Sequence, residues 1–322
     1  MIPPILPAQL RAALDAKLEG LSRQDAAARA ALISKIYREG GNSGAIASQA
    51  DALAYALARM PATYAAVVAS LNALLEIRPD FAARSLLDVG AGPGTASWAA
   101  AEAFQTLASL TLLDANPGLR ALALEFAKDG SRLDDMNYQL GPARALLAKS
   151  DDADLVIASY LIGELSESER RDLADAMWSR TRDTLIIIEP GTPAGYARII
   201  MARSQLIAAG AHVAAPCPHD NQCPLKPRDW CHFAQRLPRS RAHMQMKTAE
   251  VPFEDEKFSY VVLTRAPIAQ HLSRVLAPPV VGKAEIAAKL CTPDGVVVTK
   301  VPRRDKAAYA RARRWSWGDA AM

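Results

Sequence analysis

The stretch Leu86-Leu87-Asp88-Val89-Gly90-Ala91-Gly92-Pro93-Gly94-Thr95 sets three glycines at alternate positions between an apolar run and a helix-forming segment. Glycine carries no Cβ, so a chain punctuated in this way turns tightly and lets its backbone approach a neighbour closely. Ser85–Val89 before the turn reads as a buried strand, and Ala96–Leu107 after it as a helix. The pattern then recurs. Ser109–Leu113 is a second predicted strand, followed by a helix from Pro117. Leu155–Ala158 and Leu185–Ile188 are two more, separated by the helix Glu167–Ser179, for which Ser166 is a suitable N-cap. Tyr196–Ala209 is the next helix. Apolar strands alternating with helices specify a parallel sheet covered on both faces. The expected fold class is therefore α/β.

Residues 1–80 read as a helical N-terminal domain. Leu10, Leu14, Leu18 and Leu21 recur at helical spacing, and Tyr55 to Leu75 is helical, with Pro61 marking a break or a new first turn. Residues 81–210 form the α/β core. Residues 211–250 are rich in Pro, Cys, His and Arg and interrupt the alternation as an insertion. Residues 251–299 are expected to complete the core sheet through Phe258–Thr264 and Gly295–Lys300, and residues 300–322 form a tail. No run is read as long and apolar enough to span a bilayer, and the start Met-Ile-Pro-Pro-Ile-Leu-Pro is a poor secretory signal. The expectation is a cytoplasmic monomer without a membrane partner.

The glycine spacing is G-x-G-x-G, not the G-x-G-x-x-G of dinucleotide sites. The form Asp88-Val89-Gly90-x-Gly92-x-Gly94 resembles motif I of the class I S-adenosylmethionine-dependent methyltransferases. That resemblance implies a Rossmann-like fold and a cofactor held by Asp88, Gly90, Gly92 and Gly94. It also implies an acid at the end of the second strand for the ribose hydroxyls, matched here by Asp114. A carboxylate suits that role because it accepts two hydroxyl protons at once. The plainer alternatives are glycines that only pack a helix on a sheet and an aspartate that only caps one. No catalytic residue is assigned. The Asn/Asp-Pro-Pro-aromatic motif of many amino-methylating enzymes is replaced after the fourth strand by Ser159-Tyr160-Leu161-Ile162-Gly163-Glu164. Tyr160 and Glu164 are candidates for the substrate side, and Glu189-Pro190-Gly191 for a pocket edge.

The chain has four cysteines, and three fall within fifteen residues: Cys217, Cys223 and Cys231, with Cys291 far downstream. Five residues separate the first pair, seven the second, and 59 lead to the fourth. Pro216, Pro218 and Pro224 stiffen the loop and reduce the entropy lost on wrapping an ion or cluster. Zinc favours closer pairs, two to four residues apart. An iron–sulfur cluster accepts thiolates from separated points. Spacing alone leaves open a cluster, zinc held by three cysteines with His219 or His232, and four idle thiols.

Taken together, Ala215-Pro216-Cys217-Pro218-His219-Asp220, Cys223-Pro224, Asp229-Trp230-Cys231-His232-Phe233, Arg236 and Arg239 resemble the methyltransferase-like proteins of the small ribosomal subunit, whose mitochondrial members act in small-subunit assembly. Arg59-Met60-Pro61-Ala62-Thr63-Tyr64 and Glu256-Lys257-Phe258-Ser259-Tyr260 extend the likeness, which spans about residues 50 to 315. It implies a 4Fe-4S cluster on Cys217, Cys223, Cys231 and Cys291, and contact with small-subunit ribosomal RNA.

Charge is concentrated at the end of the chain. Residues 300–322 hold seven Lys/Arg against Asp305 and Asp319, a net +5, so the preceding 299 residues sum to −1 of the total +4. Arg303, Arg304, Lys306, Arg311, Arg313 and Arg314 interleave with Trp315 and Trp317, a composition suited to neutralising phosphates and stacking on bases. The alternative is a solvated tail whose tryptophans dock on the domain. A second basic stretch, Lys226, Arg228, Arg236, Arg239, Arg241 and Lys247, adjoins the cysteines. Three functions fit these features. The first is S-adenosylmethionine-dependent methylation of ribosomal RNA. The second is non-catalytic small-subunit assembly on the same fold. The third is a zinc-containing methyltransferase of a protein or small molecule.

Overall fold

The three N-terminal helices are α1 (Ala8–Leu18), α2 (Arg23–Arg38) and α3 (Gln49–Ile77). In this computed structural model, residues 1–321 are described except 19–21, 129–130, 227, 240–243, 245–249 and 270. Arg241 and Lys247 of the second basic stretch therefore lie outside the described residues.

Helix α3 starts at a capping box, in which Ser48 accepts from Asp51 N–H and the Asp51 carboxylate accepts from Ser48 N–H. It runs 29 residues straight through Pro61. The expected break does not occur. Met60, Ala62, Thr63, Tyr64 and their neighbours on either side are buried, so packing outweighs the one backbone bond that proline forfeits. Helix α3 also corrects the reading that no run is long and apolar enough to span a bilayer. It meets that length and apolarity at a mean hydropathy of 1.3, with two-thirds of the stretch buried inside the fold.

After α3 come β1 (Ser85–Val89), α4 (Thr95–Ala103), β2 (Ser109–Asp114), α5 (Pro117–Phe126), β3 (Asn137–Leu140), α6 (Ala143–Leu147), β4 (Ala153–Ser159), α7 (Glu167–Ser179), β5 (Thr181–Pro190) and α8 (Pro193–Ala208). The chain continues through β6 (His212–Ala215), β7 (Phe233–Pro238) and β8 (Phe253–Thr264). The main sheet has the order β3-β2-β1-β4-β5-β8-β6, with β7 also on β8. Strands β1 to β5 are mutually parallel, and β8 inserts antiparallel against β5. Alternate strand residues face two cores. Leu86, Ile157, Ile186, Ile188 and Val262 join α3, α4 and α5 on one face. Leu87, Val156, Leu185, Ile187 and Val261 join α7 and α8 on the other. The N-terminal helices belong to the first of these cores, since Leu10, Leu14, Ile33, Leu57 and Leu71 are buried in the same cluster as Leu86 and Leu112.

The expected completion of the core sheet is only half met. Phe258–Thr264 lies in β8, but Gly295–Lys300 belongs elsewhere. Strands β9 (Ser273–Val275), β10 (Val280–Val281), β11 (Glu285–Thr292), β12 (Gly295–Pro302) and β13 (Ala320–Ala321) form a second, antiparallel sheet. The hairpin between β11 and β12 turns at Pro293-Asp294, so β12 pairs with its immediate predecessor before it can reach the first sheet. Helix α9 (Lys306–Ala312) packs against this sheet through Ala312.

Helix α8 sits close to the end of β5. A Cβ built at Gly195 would lie 2.0 Å from the Pro190 carbonyl oxygen, a backbone atom that cannot swing aside. Gly195→Ala is expected to destabilise the protein by about 2 kcal/mol, read as a lower urea midpoint at unchanged m-value.

Candidate functional site

Two sites emerge, one beyond the end of β1 and one beside β8 and α8. The first is the glycine turn. Gly90, Gly92 and Gly94 have φ of +70°, +55° and +80°, the left-handed region that glycine alone occupies without strain. Gly90 and Ala91 N–H donate to the Leu113 carbonyl at 2.8 and 3.0 Å, which ties the turn to the end of β2. There Asp114 points back at the turn: Oδ2 accepts from Gly92 N–H at 2.8 Å and Oδ1 from Asn116 N–H at 2.7 Å. Burial raises the Asp114 carboxyl above its ordinary range, and the backbone donors at Asn116, Gly92 and Ala115 oppose the rise. Asp88 lies beneath the turn, accepting from Ser97 N–H and Oγ at 3.0 and 2.7 Å. Its role in this structure is to fix the start of α4. Tyr138 Oη donates to the Gly92 carbonyl at 2.7 Å. These bonds hold the turn in shape.

The segment between α2 and α3 packs beside the turn. Ser43 N–H donates to Glu164 Oε2 at 3.0 Å, and Asn116 Nδ2 donates to the carbonyls of Ser43 and Ile46 at 3.0 and 2.9 Å. Glu164 thus holds the loop down, and its half-buried carboxyl is raised by desolvation against the Ser43 and Tyr37 hydrogen bonds.

Beyond β4 the polar side chains pair with one another. Tyr160 has φ of +58°, which is strained for a non-glycine residue. Its Oη donates to Glu256 Oε1 at 2.7 Å, while Arg59 reaches the same oxygen at 3.2 Å. Glu189, fully buried, pairs with Arg198 at 2.6 Å and accepts from Gly163 N–H at 3.3 Å. Burial nevertheless keeps its carboxyl above the ordinary range.

The second site is the cysteine cavity. Cys217, Cys223, Cys231 and Cys291 all line one pocket, with Tyr196, Arg203, Pro216 and Tyr260. Three come from the segment between β6 and β7, and the fourth from β11, whose Cys291 stands opposite Arg274 of β9. Several bonds set the loop. His212 Nδ1 and Val213 N–H engage the Asp220 carboxylate at 2.9 and 2.7 Å. Ser259 Oγ donates to the Cys231 carbonyl at 2.8 Å, and Trp230 Nε1 to Gly191 at 3.2 Å. The Ala215–Pro216 bond is cis. Tyr196 Oη lies 3.1 Å from Cys223 Sγ.

As free thiols Cys217, Cys231 and Cys291 are held protonated. Burial raises Cys217, with Arg203 pulling the other way. Burial and the three neighbouring sulfurs push Cys231 well up, and burial takes Cys291 to about 12. Among the described residues, no three His, Cys, Asp or Glu side chains approach closely enough to hold a single ion. His219 Nε2 lies 3.9 Å from Cys291 Sγ. His232 instead stacks on Trp230 at 5.3 Å and meets Trp317 edge-on at 4.7 Å, outside the cavity lining.

Sequence reasoning missed Tyr196 and Arg203. Their signal was present: Tyr196, Ile199, Ile200 and Arg203 lie at i, i+3, i+4 and i+7 on α8, an arginine within an apolar stripe.

In the tail, Arg303, Arg304, Lys306, Arg311, Arg313 and Arg314 are exposed, and among the described residues none is ion-paired. Trp315 and Trp317 are half-buried and pack against the second sheet and the first core. Of the second basic stretch, Arg236 and Arg239 pair with Asp255 and Glu254.

The fold and these sites define a methyltransferase-like α/β protein with an appended cysteine cavity. Residues 49–322 match the family described as mitochondrial small ribosomal subunit Rsm22, and the chain belongs to that family. A human relative, "Ribosome assembly protein METTL17, mitochondrial", is 30% identical over 285 residues, covering 83% of this chain and 61% of the relative. "Rsm22-cox11 tandem protein 2, mitochondrial" of Schizosaccharomyces pombe is 27% identical over 320 residues, covering 83% and 42%. The chain thus spans less than two-thirds of these relatives' length. A looser likeness runs to magnesium protoporphyrin IX methyltransferase from Synechocystis PCC 6803 with bound SAM. It is 12% identical, covers 74% of this chain and 97% of that one, and has a TM-score of 0.43.

Burial raises the Asp88 carboxyl to about 7, against bonds from Ser97 that favour its ionised form. A raised carboxyl contributes stability in full below its unfolded value near 3.8 and loses it as pH climbs through about 7. Asp88→Asn cannot ionise. Its urea stability relative to wild type is expected to rise across that window by up to ~4 kcal/mol.

Proposed function

We propose that this chain is a small-subunit ribosome assembly factor that binds S-adenosylmethionine at the glycine turn and carries a 4Fe-4S cluster on Cys217, Cys223, Cys231 and Cys291. The observation that carries the proposal is the convergence of the four cysteines, drawn from two distant segments, on one cavity. Four cysteine sulfurs on one lining match the ligand number that a cubane cluster takes. The cluster's chemistry, once bound, is to cross-link the loop to β11 and to accept or give one electron. Serine in place of any of the four cysteines removes a soft ligand.

For S-adenosylmethionine, Gly90, Gly92 and Gly94 would let the backbone approach the amino-acid end. A carboxylate has about four acceptor sites, so Asp114 keeps capacity beyond its backbone donors. Asp88 supports the turn from below. Contact with small-subunit RNA falls to Arg303, Arg304, Lys306, Arg311, Arg313 and Arg314, with Trp315 and Trp317 docking that basic element on the domain. The description of the family and the name of the human relative support ribosome assembly as the setting. A cytoplasmic site of action remains part of the proposal.

A non-catalytic role is the reading that the region after β4 favours. The Tyr160–Glu256–Arg59 and Glu189–Arg198 networks tie up the polar side chains of the region where many amino-methylating enzymes carry their acceptor motif. Under this reading S-adenosylmethionine stabilises the fold and is not consumed.

Anaerobic purification should give a brown protein with broad visible absorption and stoichiometric iron and sulfide, and each Cys→Ser change should bleach it. A colourless, zinc-loaded wild type would refute the cluster. Gly92→Arg should abolish S-adenosylmethionine binding in calorimetry while leaving the absorption intact. If methyl groups from labelled cofactor enter small-subunit RNA with wild type and not with Gly92→Arg, the non-catalytic reading fails. Removing Arg311, Arg313 and Arg314 together should lower the slope of log affinity for small-subunit RNA against log salt by ~2–3.

A further inference from the structure

We propose that Arg203 is the built-in counter-charge of the cysteine cavity, placed to balance an anionic four-cysteine centre and to set its reduction potential. This rests on the cluster reading above and goes beyond its ligands. The Arg203 side chain is only 2% exposed, and it lines the cavity with all four cysteines. One guanidinium nitrogen donates to the His219 carbonyl at 2.6 Å, while Nε has no partner. Among the described residues no carboxylate pairs with it. Arg274, equally buried, supplies the contrast: its guanidinium reaches Glu76 at 3.2 Å and the Gly318 carbonyl at 2.9 Å.

A guanidinium cannot shed its proton inside a protein, so burial does not neutralise it. A buried cation without an anion is strongly unfavourable. The chain tolerates this one where four sulfurs converge, and its charge acts on Cys217 and Cys291. With neutral thiols the cavity holds an uncompensated positive charge. With four thiolates around an iron–sulfur core the centre as a whole is negative, and Arg203 offsets part of that charge. One-electron reduction makes the centre more negative still, so a fixed cation beside it favours the reduced form and raises the potential. Arg203 is a positioning and tuning residue, not a ligand.

The test uses the full chain, purified anaerobically, as wild type, Arg203→Lys and Arg203→Met. Methionine keeps the apolar length and removes the charge. Midpoint potentials come from dithionite titration with mediators, followed by visible absorption and electron paramagnetic resonance. Arg203→Met should lower the reduced-to-oxidised ratio at fixed potential by at least about tenfold, a shift of 59 mV for one electron. Arg203→Lys should stay within about threefold of wild type, about half that shift on the same logarithmic scale. A second measurement covers the metal-free state. After chelation Arg203→Met should melt above wild type, because an unbalanced buried charge is gone, whereas in the loaded state it should melt below. An unchanged midpoint in Arg203→Met, or a metal-free Arg203→Met that melts lower or fails to fold, overturns the proposal and makes Arg203 a prop for the His219 carbonyl. A wild type that holds zinc and no iron refutes the cluster reading instead, and the two melting comparisons still decide the counter-charge.

Discussion

Both ends of the cysteine loop are fastened to one strand. Ala215, the last residue of β6, pairs with Val262 of β8, and Phe233, the first of β7, pairs with Phe258. The segment between them, with Cys217, Cys223 and Cys231, therefore leaves and re-enters the sheet within four residues of β8. A closed loop of this kind has already met most of its closure entropy through the sheet, before any ligand binds. The rest of the architecture follows from β8. Its other edge pairs with β5, so the parallel core on which the glycine turn sits is mechanically continuous with the loop. Ser259 and Tyr260, between the two anchor points, contribute directly to the cavity wall.

The cavity floor has a different origin. Cys291 is presented by β11, and Arg274 opposite it on β9 donates to the Pro216 carbonyl at 3.4 Å, at the head of the loop. The second sheet is thus a platform pressed against the loop. The aromatic run Trp230, His232 and Trp317 closes the seam from the outside and links the loop to the tail. The connection between α2 and α3 plays the matching part at the other site, where the carbonyls of Ser43 and Ile46 accept from Asn116.

The parallel sheet, the glycine turn and Asp114 were legible because each leaves a local trace: an apolar run, a spacing, an acid at a strand end. The helix caps Ser48, Ser166 and Asn116 obey the same local chemistry. Pro61 misled because a helix buried on most sides obeys its neighbours before its own propensities. Gly295–Lys300 misled because apolar strands look alike whichever sheet receives them. The four cysteines were legible as a set, but their meeting point depends on a sheet that pattern alone does not position. Arg203 escaped notice since a lone arginine in sequence looks like surface, and only packing reveals that it is enclosed. In the tail the cations were read as exposed, and they are, whereas the tryptophans between them turn inward.

The separation between Cys231 and Cys291 has a temporal side. Synthesis runs at about 5–20 residues per second. The first three sulfurs therefore leave the ribosome roughly 3–12 s before the fourth. During that interval the loop can close on β8, but its floor does not yet exist, and any early occupant of the pocket must be held by an incomplete set. Completion coincides with arrival of the platform strand, so the order of emergence itself acts as a timer on when the pocket becomes whole.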